Sequence, residues 1–126
     1  MRSFDDIARA ALALPGIESA AIFVAKPDSS ELELVAASGI EGPALDGLIA
    51  AVRNPNHPIA RALSDTAPTF DVAPMNPGGP ALRSHLPFAG PGVLALAHGQ
   101  SLPPEARQTL QDLAASAGEA IASRPR

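Results

Sequence analysis

Fourteen prolines and ten glycines punctuate the 126 residues of this chain, and that punctuation limits its fold more than any other feature. They cluster at Pro43, at Pro55 to Pro58 and at Pro74 to Pro80, where neither a helix nor a strand ladder runs through. Short apolar segments lie between the clusters, each suited to one strand or one modest helix. Apolar periodicity resumes after every cluster, so these are loops inside a single domain, residues 1–126.

Ser3 followed by Asp6 predicts a helix start, with a hydroxyl for the first free amides and an acid in the positive first turn. Phe4, Ile7, Ala11 and Leu14 follow at helical spacing, and Pro15-Gly16 ends the run. SAAIFVA (Ser19 to Ala25) is apolar on both faces and reads as a buried central strand. After a turn at Lys26 to Ser30, ELELVAAS alternates, with Leu32, Leu34 and Ala36 on one face. Leu45, Leu48, Ile49 and Val52 then fit an amphipathic helix closed by Asn54-Pro55, and Pro58 opens a short helix with Ile59 and Leu63. TFDV (Thr69 to Val72), RSHLPF and GVLALAH are three further strands. Leu110, Leu113, Ala114, Ala117 and Ile121 stripe a last helix. This order gives an α+β sandwich, an antiparallel sheet of five or six strands with helices on its faces.

Composition excludes several functions. There is no Cys, which removes disulfides, thiolate zinc sites and cysteine nucleophiles. A net charge of -4 with no basic run offers no field for nucleic acid or an anionic membrane. No signal segment or membrane span is visible, so a cytoplasmic location is expected. With four Phe and no Tyr or Trp, a pocket would have few stacking surfaces.

The histidines depend on strand register. If the hairpin loop is Ala89 to Gly92 and Phe88 faces Val93, His85 and His98 are diagonal neighbours on one face, about 7–8 Å apart. A loop one residue longer or shorter puts them on opposite faces. Without a Cys or a well-placed carboxylate they form a poor metal signature, and both read as strand-structural, with His85 the better candidate for touching a ligand. His57 reads as a helix-start residue. Arg83, beside the Pro-rich loop, suits either a surface ion pair or a clamp for a carboxylate or phosphate. Ser84 and His85 point to opposite faces as adjacent strand residues, so they do not form a nucleophile–base pair.

Taken together, AAIFVAKPDSSELELVAASGI, HPIARALSDTAPTFDV and LRS…LPF…GVLALAH with the terminal helix resemble the GAF family of sensory domains over nearly the whole length. The resemblance implies a sheet with the first and last helices on one face and a small-molecule pocket on the other, and frequent dimerisation through the terminal helices. Three family chemistries lack their residues: there is no Cys for bilin attachment or for methionine-sulfoxide reduction, and the Asn-Lys…Phe…Asp-Glu motif of cyclic-nucleotide binders is missing. The expectation is a non-catalytic sensory or regulatory domain, binding a small ligand of unknown identity between the sheet and the helices of residues 43–64. The expected ligand-binding wall is Ile59, Phe70, Val72, Met75, Arg83 and His85, with no metal ligand and no cofactor identified. The rival reading is a degenerate domain that binds nothing small and serves as a homodimerisation module.

Overall fold

The computed structural model describes residues 3–26, 31–64, 67–72 and 82–122. Helix α1 (Phe4–Leu12) begins with a reciprocal cap. Ser3 Oγ accepts the Asp6 N–H at 3.1 Å, and Asp6 Oδ2 accepts the Ser3 N–H at 3.5 Å, satisfying amides that have no partner within the helix. Strands β1 (Ile17–Ala25) and β2 (Leu32–Ser38) form a hairpin, followed by helices α2 (Gly42–Ala51) and α3 (Pro58–Ala62). Strand β3 (Thr69–Val72), the hairpin of β4 (Leu82–Phe88) and β5 (Gly92–His98), and helix α4 (Pro104–Ala122) complete the order.

The strands form one antiparallel sheet, β2-β1-β5-β4-β3, so the expected α+β sandwich is present with five strands. Strands β1 and β5 lie at its centre, which is why SAAIFVA and GVLALAH are apolar on both faces. On one face Ile22, Leu86, Leu94 and Leu96 pack under Ile7 and Ala11 of α1 and Leu110, Leu113 and Ala117 of α4. On the other, Phe23, Val93 and Ala95 pack under Val52, Ile59 and Ala62. The C-terminal stripe read from the sequence is the buried face of α4. Among the described residues no helix is long and apolar enough to cross a membrane.

Two registers differ from the sequence reading. In β2 the pairing steps from Ile22↔Ala36 to Phe23↔Leu34, leaving Val35 as an extra residue in a bulge. Leu32 and Leu34 therefore face α3, whereas Ala36 faces α1; strict alternation had placed all three together. In the second hairpin Phe88 faces Gly92, not Val93. The Phe88 ring fills the space a Cβ at Gly92 would need, with Cε2 2.4 Å from that position. This one-residue shift puts His85 on the α3 face and His98 on the α1–α4 face.

Helix α2 also differs in degree. Its apolar stripe points inward, yet no residue within it is buried; only Leu48 and the following Val52 join the core, and Leu45 and Ile49 stay half-buried.

Candidate functional site

An Asn-Pro-Asn-His-Pro turn sets up the α3 side of the sheet. Asn54 Oδ1 accepts the Asn56 N–H at 3.0 Å, and the His57 N–H donates to the Asn54 carbonyl at 3.0 Å. His57 then caps α3: its Nδ1 accepts the Ile59 N–H at 3.2 Å, and Pro58 occupies the first helical position. The helix drives Ile59 and Ala62 into the core and leaves Ala60, Arg61, Leu63 and Ser64 along a groove.

That groove, about 610 Å³, runs between α3 and the β3–β4 edge of the sheet. Thr69, Val72 and His85 form its opposite wall. Register explains the grouping, because Thr69 pairs with His85 and Val72 with Arg83. His85 is 4% exposed. Arg83 lies two residues earlier on the same strand face and is half-buried. Burial, and secondarily the charge of Arg83, hold the pKa of His57 below its ordinary value, which places the guanidinium within electrostatic range of the cap. Arg61 adds a second cation, and among the described residues that line the groove there is no carboxylate.

The expected ligand wall is therefore partly assembled. Val72 and His85 line the groove, Arg83 flanks it, and Ile59 forms buried core beneath it. Met75 lies outside the described residues. Phe70 is on the other side of the sheet: it packs against the α1–α4 core, and its ring lies 4.9 Å from the Arg107 guanidinium. Ordinary alternation from Thr69 sends Phe70 there, and the break in β3 register between Thr69 and Val72, where Asp71 adopts a left-handed backbone with φ 59°, returns Val72 to the groove side. Among the described residues no three His, Cys, Asp or Glu side chains gather to hold a metal ion.

Two features escaped the sequence. The first is a buried polar chain on the α1–α4 face. His98 Nδ1 donates to the Gln100 carbonyl at 2.7 Å, and its Nε2 shares a hydrogen bond with Ser84 Oγ at 2.8 Å. Ser84 Oγ accepts the Asp71 N–H at 3.2 Å. The Asp71 carboxylate in turn accepts from Ser101 Oγ at 2.7 Å, from the Leu102 N–H at 3.1 Å and from the Arg107 guanidinium. Ser84 and His98 are fully buried and line neither groove, so their hydrogen bond joins β4 to β5 inside the core. Its only sequence signal was a Ser and a His on neighbouring strands.

The second is an apolar groove of about 530 Å³ between β4 and α4, lined by Leu86, Pro87, Phe88, Ala115 and Gly118 among others. Small residues on α4, Ala115 and Gly118 among them, announced a close approach; at Gly118 a Cβ would lie 3.1 Å from the Ala89 carbonyl oxygen.

No protein-family model matches the chain, and no curated protein matches it in sequence. Its fold is nevertheless similar to solved structures. The second GAF domain of DevS from Mycobacterium smegmatis superposes with a TM-score of 0.69 at 21% identity, covering 94% of this chain and 90% of that one. The GAF domain from an Acinetobacter phosphoenolpyruvate-protein phosphotransferase gives a TM-score of 0.73 at 14% identity, covering 95% and 80% respectively. At these identities the likeness is one of fold, and the chain has the GAF fold that its sequence resemblance implied.

Proposed function

We propose that this chain is a small-molecule-sensing regulatory domain whose ligand binds in the groove between α3 and the β3–β4 edge. Occupancy biases the terminal helices and, through them, an output domain or partner. The observation that carries the reading is the groove itself. It has ligand-sized volume, one wall on a short helix and the other on the sheet, with His85 and Arg61 in its lining. The guanidinium of Arg61 in the lining and that of Arg83 beside it, with no carboxylate among the described lining residues, favour a ligand bearing a carboxylate or phosphate. The shared GAF fold supports a regulatory role over a catalytic one, and the burial of the Ser84–His98 pair is consistent with that.

The test is thermal unfolding of the 126-residue chain against cyclic nucleotides, haem, divalent metals and small carboxylates, with His85→Ala and Arg83→Ala in parallel. A melting temperature that rises with ligand concentration, and rises less in the variants, supports the groove. A rise left unchanged by both variants removes it. The apolar groove between β4 and α4 favours a second reading, homodimerisation through the terminal helices. In that case no compound shifts the transition, and sedimentation finds a dimer that Ala115→Glu, at an exposed position of the same groove, dissociates.

A further inference from the structure

Strand β3 has two sides with different attachments. Thr69 and Val72 face the groove, whereas Phe70 and Asp71 turn toward α4. Asp71 is the one non-glycine residue with positive φ among the described residues, so the chain accepts an unfavourable backbone to make that turn. The turn brings the Asp71 carboxylate to three donors on the segment that opens α4: Ser101, Leu102 and Arg107. Arg107 is tied in again, its Nε donating to the Leu102 carbonyl at 3.0 Å and its guanidinium lying over Phe70. On its other flank Asp71 is held by Ser84, which is anchored to buried His98.

We infer that Asp71 is the relay by which occupancy of the groove reaches α4, an inference that rests on the groove being the input site. The strand is four residues long and, among the described residues, lies at the sheet edge and pairs with β4 alone, so the sheet restrains it on one side. An occupant that displaces Thr69 or Val72 carries Asp71 with it. Charge-assisted hydrogen bonds to one carboxylate are directional, so a small shift of β3 loosens or retightens the connection before α4 and its first turns. Phe88, Leu86 and the rest of the central sheet stay packed, which confines the change to the segment the carboxylate holds.

The test uses a tethered occupant. Because the chain has no Cys, Ser64→Cys supplies a single thiol on the groove, and N-phenylmaleimide fixes a ring there. Amide exchange is read by NMR at Leu102, whose N–H donates to Asp71, and from Arg107 to Leu110 in α4. The expected result is a label-dependent change in exchange of about tenfold at these amides, the scale of one charge-assisted bond gained or lost. Combined with Asp71→Gly, which accepts the backbone but has no carboxylate, the change in α4 falls below about twofold. Asp71→Asn and Arg107→Gln, which keep an acceptor for Leu102 but lose the ion pair, give intermediate changes and serve should the glycine variant not fold. Equal changes with Asp and Gly at 71, or none with Asp present, overturn the relay. Since the occupant is tethered, a failed compound panel with a positive result here removes the ligand assignment and leaves the relay standing.

Discussion

Ser84 Oγ lies 2.8 Å from His98 Nε2, and neither side chain is exposed to solvent. Each is the other's means of being buried. His98→Leu leaves the Ser84 hydroxyl without its imidazole partner, and Ser84→Ala leaves both Nε2 and the Asp71 N–H unpartnered. Each single change is expected to cost about 1–3 kcal/mol. Ser84→Ala in a His98→Leu background costs less than it does alone, because one partner has already gone. Urea denaturation of the four proteins checks this, and strictly additive losses would mean the two side chains do not interact.

The left-handed glycines separate backbone conformation from crowding. Gly39 has φ +79°, and a Cβ there would lie 2.5 Å from the Glu18 carbonyl oxygen and 2.8 Å from Leu12 Cδ1. Gly16 has φ +85° with nothing within 4 Å of the same position. Gly16→Ala therefore carries only the conformational penalty, about 1–2 kcal/mol, and Gly39→Ala adds a clash of about 1–3 kcal/mol. Equal losses in the two variants, measured by chemical denaturation, would remove the clash from the account.

How much of this was legible in the sequence depended on the range of the interaction. Two-sided apolar runs marked β1 and β5, and Ser3 with Asp6 marked the start of α1, because each signal lies within a few residues of its effect. Register was not legible. Whether His85 and His98 share a face turned on one loop residue, decided by the Phe88 ring lying against Gly92. The β2 bulge likewise hid in an ideal alternation. Val72 and His85 come together because they line one face of neighbouring strands. Phe70 and Val72 do not share a face, as alternation would have them do, because an aspartate at positive φ between them, stabilised by groups about thirty residues downstream, breaks the strand.

Helix α2 is expected to open first. It buries no residue, its N-cap Glu41 makes no side-chain hydrogen bond, and Gly47 interrupts it. A glycine in a helix interior costs about 1 kcal/mol relative to alanine. Native-state hydrogen exchange should find the α2 amides opening at lower free energy than those of α4 around Leu110 and Leu113. Gly47→Ala, with nothing within 4 Å of its added Cβ, should slow exchange within α2. Protection in α2 matching that of α4 would contradict this.

Asp71 sets an acid limit on stability. Burial alone would raise its pKa, but the hydrogen bonds from Ser101 and Leu102 and the charge of Arg107 outweigh it and hold the carboxyl below its ordinary value. A carboxyl depressed in the folded state contributes stability fully present above its unfolded pKa, about 3.9, and lost as pH falls through the folded value. Asp71→Asn should therefore be less stable than wild type at pH 6, with the gap narrowing toward pH 2. A constant gap in melting temperature across that range would place the effect elsewhere.

His57 acts at a higher pH than Asp71, below its ordinary value of 6.5. The nitrogen that caps α3 is the one protonation would occupy, since Nδ1 accepts the Ile59 N–H. Burial first, and then the Arg83 charge, also disfavour the imidazolium, so the folded state binds fewer protons than the unfolded chain below pH about 6.5. Stability contributed by neutral His57 is thus complete above that pH and is lost as pH falls toward the depressed folded value. His57→Asn keeps a capping oxygen without a titrating ring and should flatten this part of the profile between pH 5 and 8. Arg83→Gln removes the second cause, lets the folded pKa rise toward normal and makes the loss shallower. If denaturation midpoints of wild type and His57→Asn fall in parallel from pH 8 to 5, the cap is not the titrating element.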